Sequence, residues 1–104
     1  MSTVSTHVLD AVLGRPAAGL DVVLTSPDGA SHPGTTDAEG RLRFADDLPA
    51  GEHTLRFATG DWFAAAGRAT FHPAVTVTFT VTAGEHHHVA LLLSPFAYTT
   101  YRGS

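Results

Sequence analysis

The chain has 104 residues, 43% of them hydrophobic, and ten acidic against six basic side chains give a formal charge of -4. Length and apolar content suit one domain with its own core, and the dispersed negative charge offers a phosphate backbone no basic patch. Cysteine and lysine are both absent, which removes disulfides, thiolate metal sites, cysteine nucleophiles and lysine Schiff-base chemistry.

Glycine and proline punctuate the chain from Gly14 to Gly51 and beyond, leaving little room for long helices. The runs between them are short and rich in Val, Thr, Leu and Phe, which predicts strands. The first is expected over residues 4–12. Alternation there puts Ser5, His7, Leu9 and Ala11 on one side, with Val8 and Val12 on the other. Strands over 20–25 and 31–36 follow, joined by a tight turn at Asp28-Gly29. Asp37-Ala38-Glu39-Gly40 reads as a turn that opens the strand 41–44, where Arg41 and Arg43 share a face opposite Leu42 and Phe44.

After a strand at 52–59, one helix is predicted over 61–66. Asp61 or Thr59 is expected to cap it, Trp62 or Phe63 to anchor it, and Gly67 to give a left-handed exit. The strand at 74–82 alternates Val75, Val77, Phe79 and Val81 with threonine, the pattern of a half-buried antiparallel strand. Strands over 86–93 and 97–101 complete the chain. The fold class is therefore all-β, a sandwich with one short helix. No apolar run approaches a membrane span, and the first residues lack the basic-then-apolar pattern of a secretory signal, so cytoplasmic residence is expected.

Seven histidines stand out: His7, His32, His53, His72, His86, His87 and His88. Histidine is the side chain best suited to proton transfer near neutral pH. In the strand over 86–93, His86 and His88 share a face with Ala90, while His87 joins Val89, Leu91 and Leu93 on the side that reads as core. From the residues alone, three readings of this cluster stay open. One is a solvated strand end. Another is a divalent-metal site, which requires a third ligand that one sequence does not identify. The third is proton-transfer chemistry. A lone strand histidine such as His7, or an arginine at a strand start such as Arg41, is ordinarily structural or solvated.

Taken together, four segments resemble those of one family, in the same order and at the same separations. They are Ser5-Thr6-His7-Val8-Leu9-Asp10, Asp37-Ala38-Glu39-Gly40-Arg41, the run from His86 to Pro95, and the terminal Tyr98-Thr99-Thr100-Tyr101-Arg102-Gly103-Ser104. The chain is similar to the 5-hydroxyisourate hydrolases, the enzyme branch of the transthyretin-like proteins, over essentially its whole length. Three positions depart from the usual family pattern. His87 stands for a tyrosine, Ala90 for a proline, and Phe71-His72-Pro73 for a segment with two aromatic residues before its proline.

The resemblance implies a transthyretin-like antiparallel sandwich of eight strands, a homotetramer built as a dimer of dimers, and active sites in the channel where the dimers meet. It implies catalytic roles for His7, Arg41, His88 and Ser104, substrate contacts from Tyr101, Arg102 and Gly103, and no metal or organic cofactor. The implied substrate is 5-hydroxyisourate, a small cyclic molecule of urate breakdown. Water would open its ring to give 2-oxo-4-hydroxy-4-carboxy-5-ureidoimidazoline. The rival from another class is a transthyretin-like carrier that binds an aromatic or iodinated ligand without catalysis. Transthyretin itself lacks this His/Arg/His set and the terminal Tyr-Arg-Gly-Ser, which favours the enzyme.

Overall fold

A computed structural model describes residues 1–44 and 47–104. Its strands are β1 (Thr3–Asp10), β2 (Arg15–Pro16), β3 (Asp21–Thr25), β4 (Ser31–Thr35), β5 (Arg41–Phe44), β6 (Gly51–Phe57), β7 (Val75–Val81), β8 (His86–Ser94) and β9 (Ala97–Gly103), with one helix, α1 (Thr59–Ala65). They form two packed sheets. One has the order β2-β1-β8-β9, with β5 also pairing β1, and the other has the order β4-β3-β6-β7. No helix among the described residues is long and apolar enough to cross a membrane.

The predicted strands are all present, with three differences, two of them local in cause and one set by long-range pairing. β1 stops at Asp10, short of Val12, because the Asp10 carboxylate accepts the backbone N–H groups of Val12 and Leu13 and turns the chain. The two-residue β2 is an added strand that pairs with the end of β1 after that turn. Most pairs are antiparallel, but β1 and β8 run parallel, from Thr3 opposite His86 to Asp10 opposite Leu93. That pair joins the two ends of the chain, so no hairpin constrains its direction.

The inner faces meet in a core that includes Val8, Leu24, Leu55, Phe57 and Leu91, all fully buried. Each such side chain contributes about 1.5–3 kcal/mol of burial before entropy is counted. The helix begins two residues earlier than its sequence pattern suggests. Ala58 occupies the cap position without a side-chain hydrogen bond, so neither Asp61 nor Thr59 caps it. The Thr59 hydroxyl donates instead to His72 O, at 3.4 Å. Phe63 is the buried anchor, the Trp62 indole donates to Ala18 O at 2.7 Å, and Gly67 takes the expected positive φ. Arg68, just beyond, lies over the Phe63 ring and reaches the buried Asp10 carboxylate at 2.6 Å. Burial opposes ionisation of Asp10, but the Arg68 guanidinium and the Leu13 and Val12 N–H groups outweigh it and hold its pKa below the ordinary value.

Candidate active site

Residues directly opposite each other in a ladder point to the same side of a sheet. Across β5, β1, β8 and β9 this generates two rows on the outward face. The first row is Arg43, Ser5, His88 and Gly103; the second is Arg41, His7, Ala90 and Tyr101. Four strands from distant parts of the chain thus deliver His7, Arg41 and His88 to one surface. His86 lies at the end of that surface, opposite Thr3.

The turn before β5 sets the Arg41 side. Asp37 accepts the N–H groups of Glu39 and Arg41, each at 2.9 Å, and the Arg41 N–H holds its carboxyl pKa below the usual range despite some desolvation. Gly40 has φ +75°, and a Cβ there would strike Val8 O, so this position needs glycine. The result is that Glu39 O lies 2.9 Å from His7 Nε2. A carbonyl only accepts, so His7 carries its hydrogen on Nε2 and, when neutral, presents a bare Nδ1. Arg41 Nη1 meets the Glu39 carboxylate at 2.7 Å, and both side chains are largely exposed.

His88 is half-buried, with Nδ1 2.7 Å from Ser5 Oγ. Burial lowers its pKa from the ordinary 6.5, and nearby His7, His86 and Arg41 push the same way. His86 is lowered as well, by desolvation and then by Arg43 and His87. Both rings are therefore biased towards the neutral form. Gly103 has a steric reason: a Cβ there would collide with the His88 ring.

The terminal residues divide. Tyr101 and Gly103 lie on the His7–His88 face, and Ser104 follows as an exposed residue one step beyond β9. Arg102 does not join them. Strand alternation turns it to the opposite face, where its guanidinium reaches Glu85 Oε1 at 3.2 Å. His87 also belongs to that other side. It is buried, accepts the Thr82 N–H on Nε2 at 2.9 Å and donates from Nδ1 to Thr3 O at 3.1 Å, so it ties β8 to β1 and to the preceding turn. A cleft of about 270 Å³ beside the edge strands β7 and β9 has the site residues His88 and Tyr101 in its walls, with Phe79, Val89 and Arg102, but neither His7 nor Arg41. Among the described residues, no group of three or more His, Asp or Glu is arranged to hold a metal ion.

Ser5 is the site residue that the sequence reading passed over. Its place on the side of His7 was visible from alternation; its contact with His88 needed the β1–β8 register. The sequence profile of the HIUase/Transthyretin family matches residues 4–103. The chain belongs to this family. A 5-hydroxyisourate hydrolase from Caulobacter vibrioides is 42% identical over 115 aligned positions that cover 100% of both chains. Among solved structures, Klebsiella pneumoniae 5-hydroxyisourate hydrolase superimposes with a TM-score of 0.91 at 41% identity, covering 100% of this chain and 94% of that one. Sea bream transthyretin in complex with thyroxine has a TM-score of 0.85 at 32% identity, covering 96% of this chain and 93% of that one. Both branches of the HIUase/Transthyretin family share the sandwich, so the fold does not separate enzyme from carrier. The residues on the outward face must do that.

Proposed function

We propose that this chain hydrolyses 5-hydroxyisourate, with residues 1–104 acting as one catalytic domain. The observation that carries the reading is the pair of rows on the outward face, which bring two imidazoles with different free nitrogens beside one guanidinium. Full-length similarity to 5-hydroxyisourate hydrolases supports it, and the carrier reading has no comparable use for this His/Arg/His set.

Ring opening by water requires a base for the water, charge stabilisation for a tetrahedral oxyanion, and a proton for the departing nitrogen. His7, with Nε2–H committed to Glu39 O, offers Nδ1 to take the proton from water. His88, its Nδ1 occupied by Ser5, offers Nε2 for the proton that the leaving nitrogen needs. Arg41 binds the developing oxyanion through the guanidinium edge that Glu39 leaves free. Tyr101 and Ser104 border the substrate, and Gly103 gives the His88 ring its room. Arg102 would meet substrate only by leaving Glu85. These steps use no metal and no organic cofactor.

The face is an open surface rather than an enclosed pocket, and preorganised charge acts best where water is excluded. A second copy facing it supplies the enclosure. Val12, Leu13, Phe71 and Phe96 are all large and exposed, which supports self-association into a dimer of dimers. With no cysteine, the chain has no need of an oxidising compartment, and we assign it to the cytoplasm.

The test is ultraviolet absorbance of freshly prepared 5-hydroxyisourate with chiral analysis of the product. Acceleration over the spontaneous decay with one enantiomer in excess is expected. A decay rate equal to that of buffer would overturn the reading. Light scattering at micromolar concentration tests the tetramer; a monomer would refute it.

A further inference from the structure

Ser5 touches two imidazoles, not one. Its Oγ lies 2.7 Å from His88 Nδ1 and 2.9 Å from His86 Nε2, and Thr3 Oγ1 lies 2.6 Å from His86 Nδ1. Thr3, His86, Ser5 and His88 therefore form one unbroken hydrogen-bonded chain across β1 and β8. A neutral imidazole has one N–H and one lone pair, and each hydroxyl has a single hydrogen. The chain consequently has two self-consistent directions.

In the first, Thr3 donates to His86 Nδ1, His86 Nε2–H donates to Ser5, and Ser5 donates to His88 Nδ1. His88 then presents Nε2–H. In the second, every bond is reversed: His88 Nδ1–H donates to Ser5, Ser5 to His86 Nε2, and His86 Nδ1–H to Thr3. His88 then presents a bare Nε2. His86 is exposed along the chain, and Thr3, where the chain ends, is buried apart from 7% of its surface.

We propose that Ser5 and His86 are positioning residues that set, through this relay, which tautomer His88 presents at Nε2. The kinetic consequence rests on the hydrolase reading above. When His88 Nε2–H gives its proton to the departing ring nitrogen, Ser5 passes its proton to His88 Nδ1. His86 refills Ser5 from Nε2 and takes the Thr3 hydroxyl proton at Nδ1; a solvent water gives Thr3 its replacement, and the hydroxide left in solvent is neutralised by the proton that His7 took from the attacking water and then releases. One proton leaves at His88, one enters at Thr3, and no net charge is stranded in the chain.

The surroundings favour such a neutral relay. The ionisable groups facing His88 are His86 on its own strand, His7 on β1, Arg41 and Arg43 on β5, and Tyr101 on β9. Most carry or can carry positive charge, so a doubly protonated imidazole at either end is opposed, consistent with the downward shifts at His86 and His88.

The experiment uses the full chain labelled with ¹⁵N-histidine, and reads the His88 ring-nitrogen shifts by long-range ¹⁵N–¹H correlation alongside kcat and KM. Ser5→Ala is expected to shift the His88 tautomer populations and to lower kcat about tenfold, the worth of one hydrogen bond, with KM nearly unchanged. Ser5→Thr, which keeps the hydroxyl, should restore both. His86→Gln, which donates to Ser5 but cannot pass a proton on, should shift the His88 tautomer populations and lower kcat like Ser5→Ala. It also serves if Ser5→Ala fails to fold. His88 shifts and kcat that stay at wild-type values in Ser5→Ala or His86→Gln, while His88→Ala is inactive, would overturn the relay and leave the hydrolase reading intact. A wild-type chain without hydrolase activity would fail that reading instead, and the nitrogen shifts would still judge the relay.

Discussion

The two outward faces of this sandwich are both built from alternating strands and carry opposite chemistry. On the β4-β3-β6-β7 sheet, β7 turns Thr76, Thr78 and Thr80 outward beside Arg56, Thr54 and Glu52 of β6. On the other sheet, His7, His86 and His88 stand among Ser5, Arg41 and Arg43. The first face is what a half-buried strand needs to stay soluble. The second places imidazoles within reach of one another and of cationic groups, so that their proton affinities depend on their neighbours. Alternating a strand between apolar and polar positions makes a fold. Which polar residues sit at the alternate positions, and opposite what, makes a site.

Substitutions on the two faces should therefore behave differently. The largest effect is expected from His7→Ala, Arg41→Ala or His88→Ala, each lowering kcat/KM on the order of 10²–10⁴-fold in a chain whose circular dichroism is unchanged. Thr78→Ala on the opposite face should leave kcat/KM at the wild-type value. Wild-type turnover in any of the first three would remove that residue from the mechanism.

Next comes Gly103→Ala. Its Cβ meets the His88 ring, and displacing a reacting group by about 1 Å costs as much as 10²-fold in rate. Steady-state kinetics would measure this; an active Gly103→Ala enzyme would mean that the ring position is not critical.

A smaller effect is a pH dependence. The unfolded chain takes up protons near the ordinary histidine value of 6.5, while His86 and His88 in the fold take them up only at lower pH. Stability from these groups is thus complete above 6.5 and is lost as pH falls through their depressed values. Denaturant titrations between neutral and mildly acid pH should show a slope that the double variant His86→Ala/His88→Ala reduces and Thr78→Ala does not.

The smallest effect is expected at Arg102. Its pair with Glu85 is exposed, and such pairs are worth about 0–1 kcal/mol. Arg102→Ala should change stability within that range and slow turnover less than Gly103→Ala. A loss of activity matching that of His88→Ala would show that Arg102 engages the substrate after all.

Much of this was legible without coordinates because a strand has period two. Opposite faces for His87 and for His86 with His88, and a shared face for Arg41 and Arg43, follow from alternation and hold in the fold. The helix cap was not legible. Thr59 and Asp61 are good capping residues by type, but the chain enters α1 from β6 at Ala58, which makes no side-chain cap hydrogen bond. The direction of Arg102 was hidden for another reason. The terminal segment Tyr101-Arg102-Gly103-Ser104 resembles its family's as a unit, whereas an extended strand splits it between two sides.

By itself the sequence determined the strands, their inward and outward residues, and the residue types available for proton transfer, since these rest on local periodicity. Only the tertiary structure decided which outward residues meet. Ser5 and His88 are 83 positions apart, and their contact exists because β1 and β8 pair in parallel in one register. A shift of one residue in that pairing would send every His88-facing group to the other side of the sheet. That long-range register is what joins Ser5 to His86 and His88 and brings them alongside His7 and Arg41.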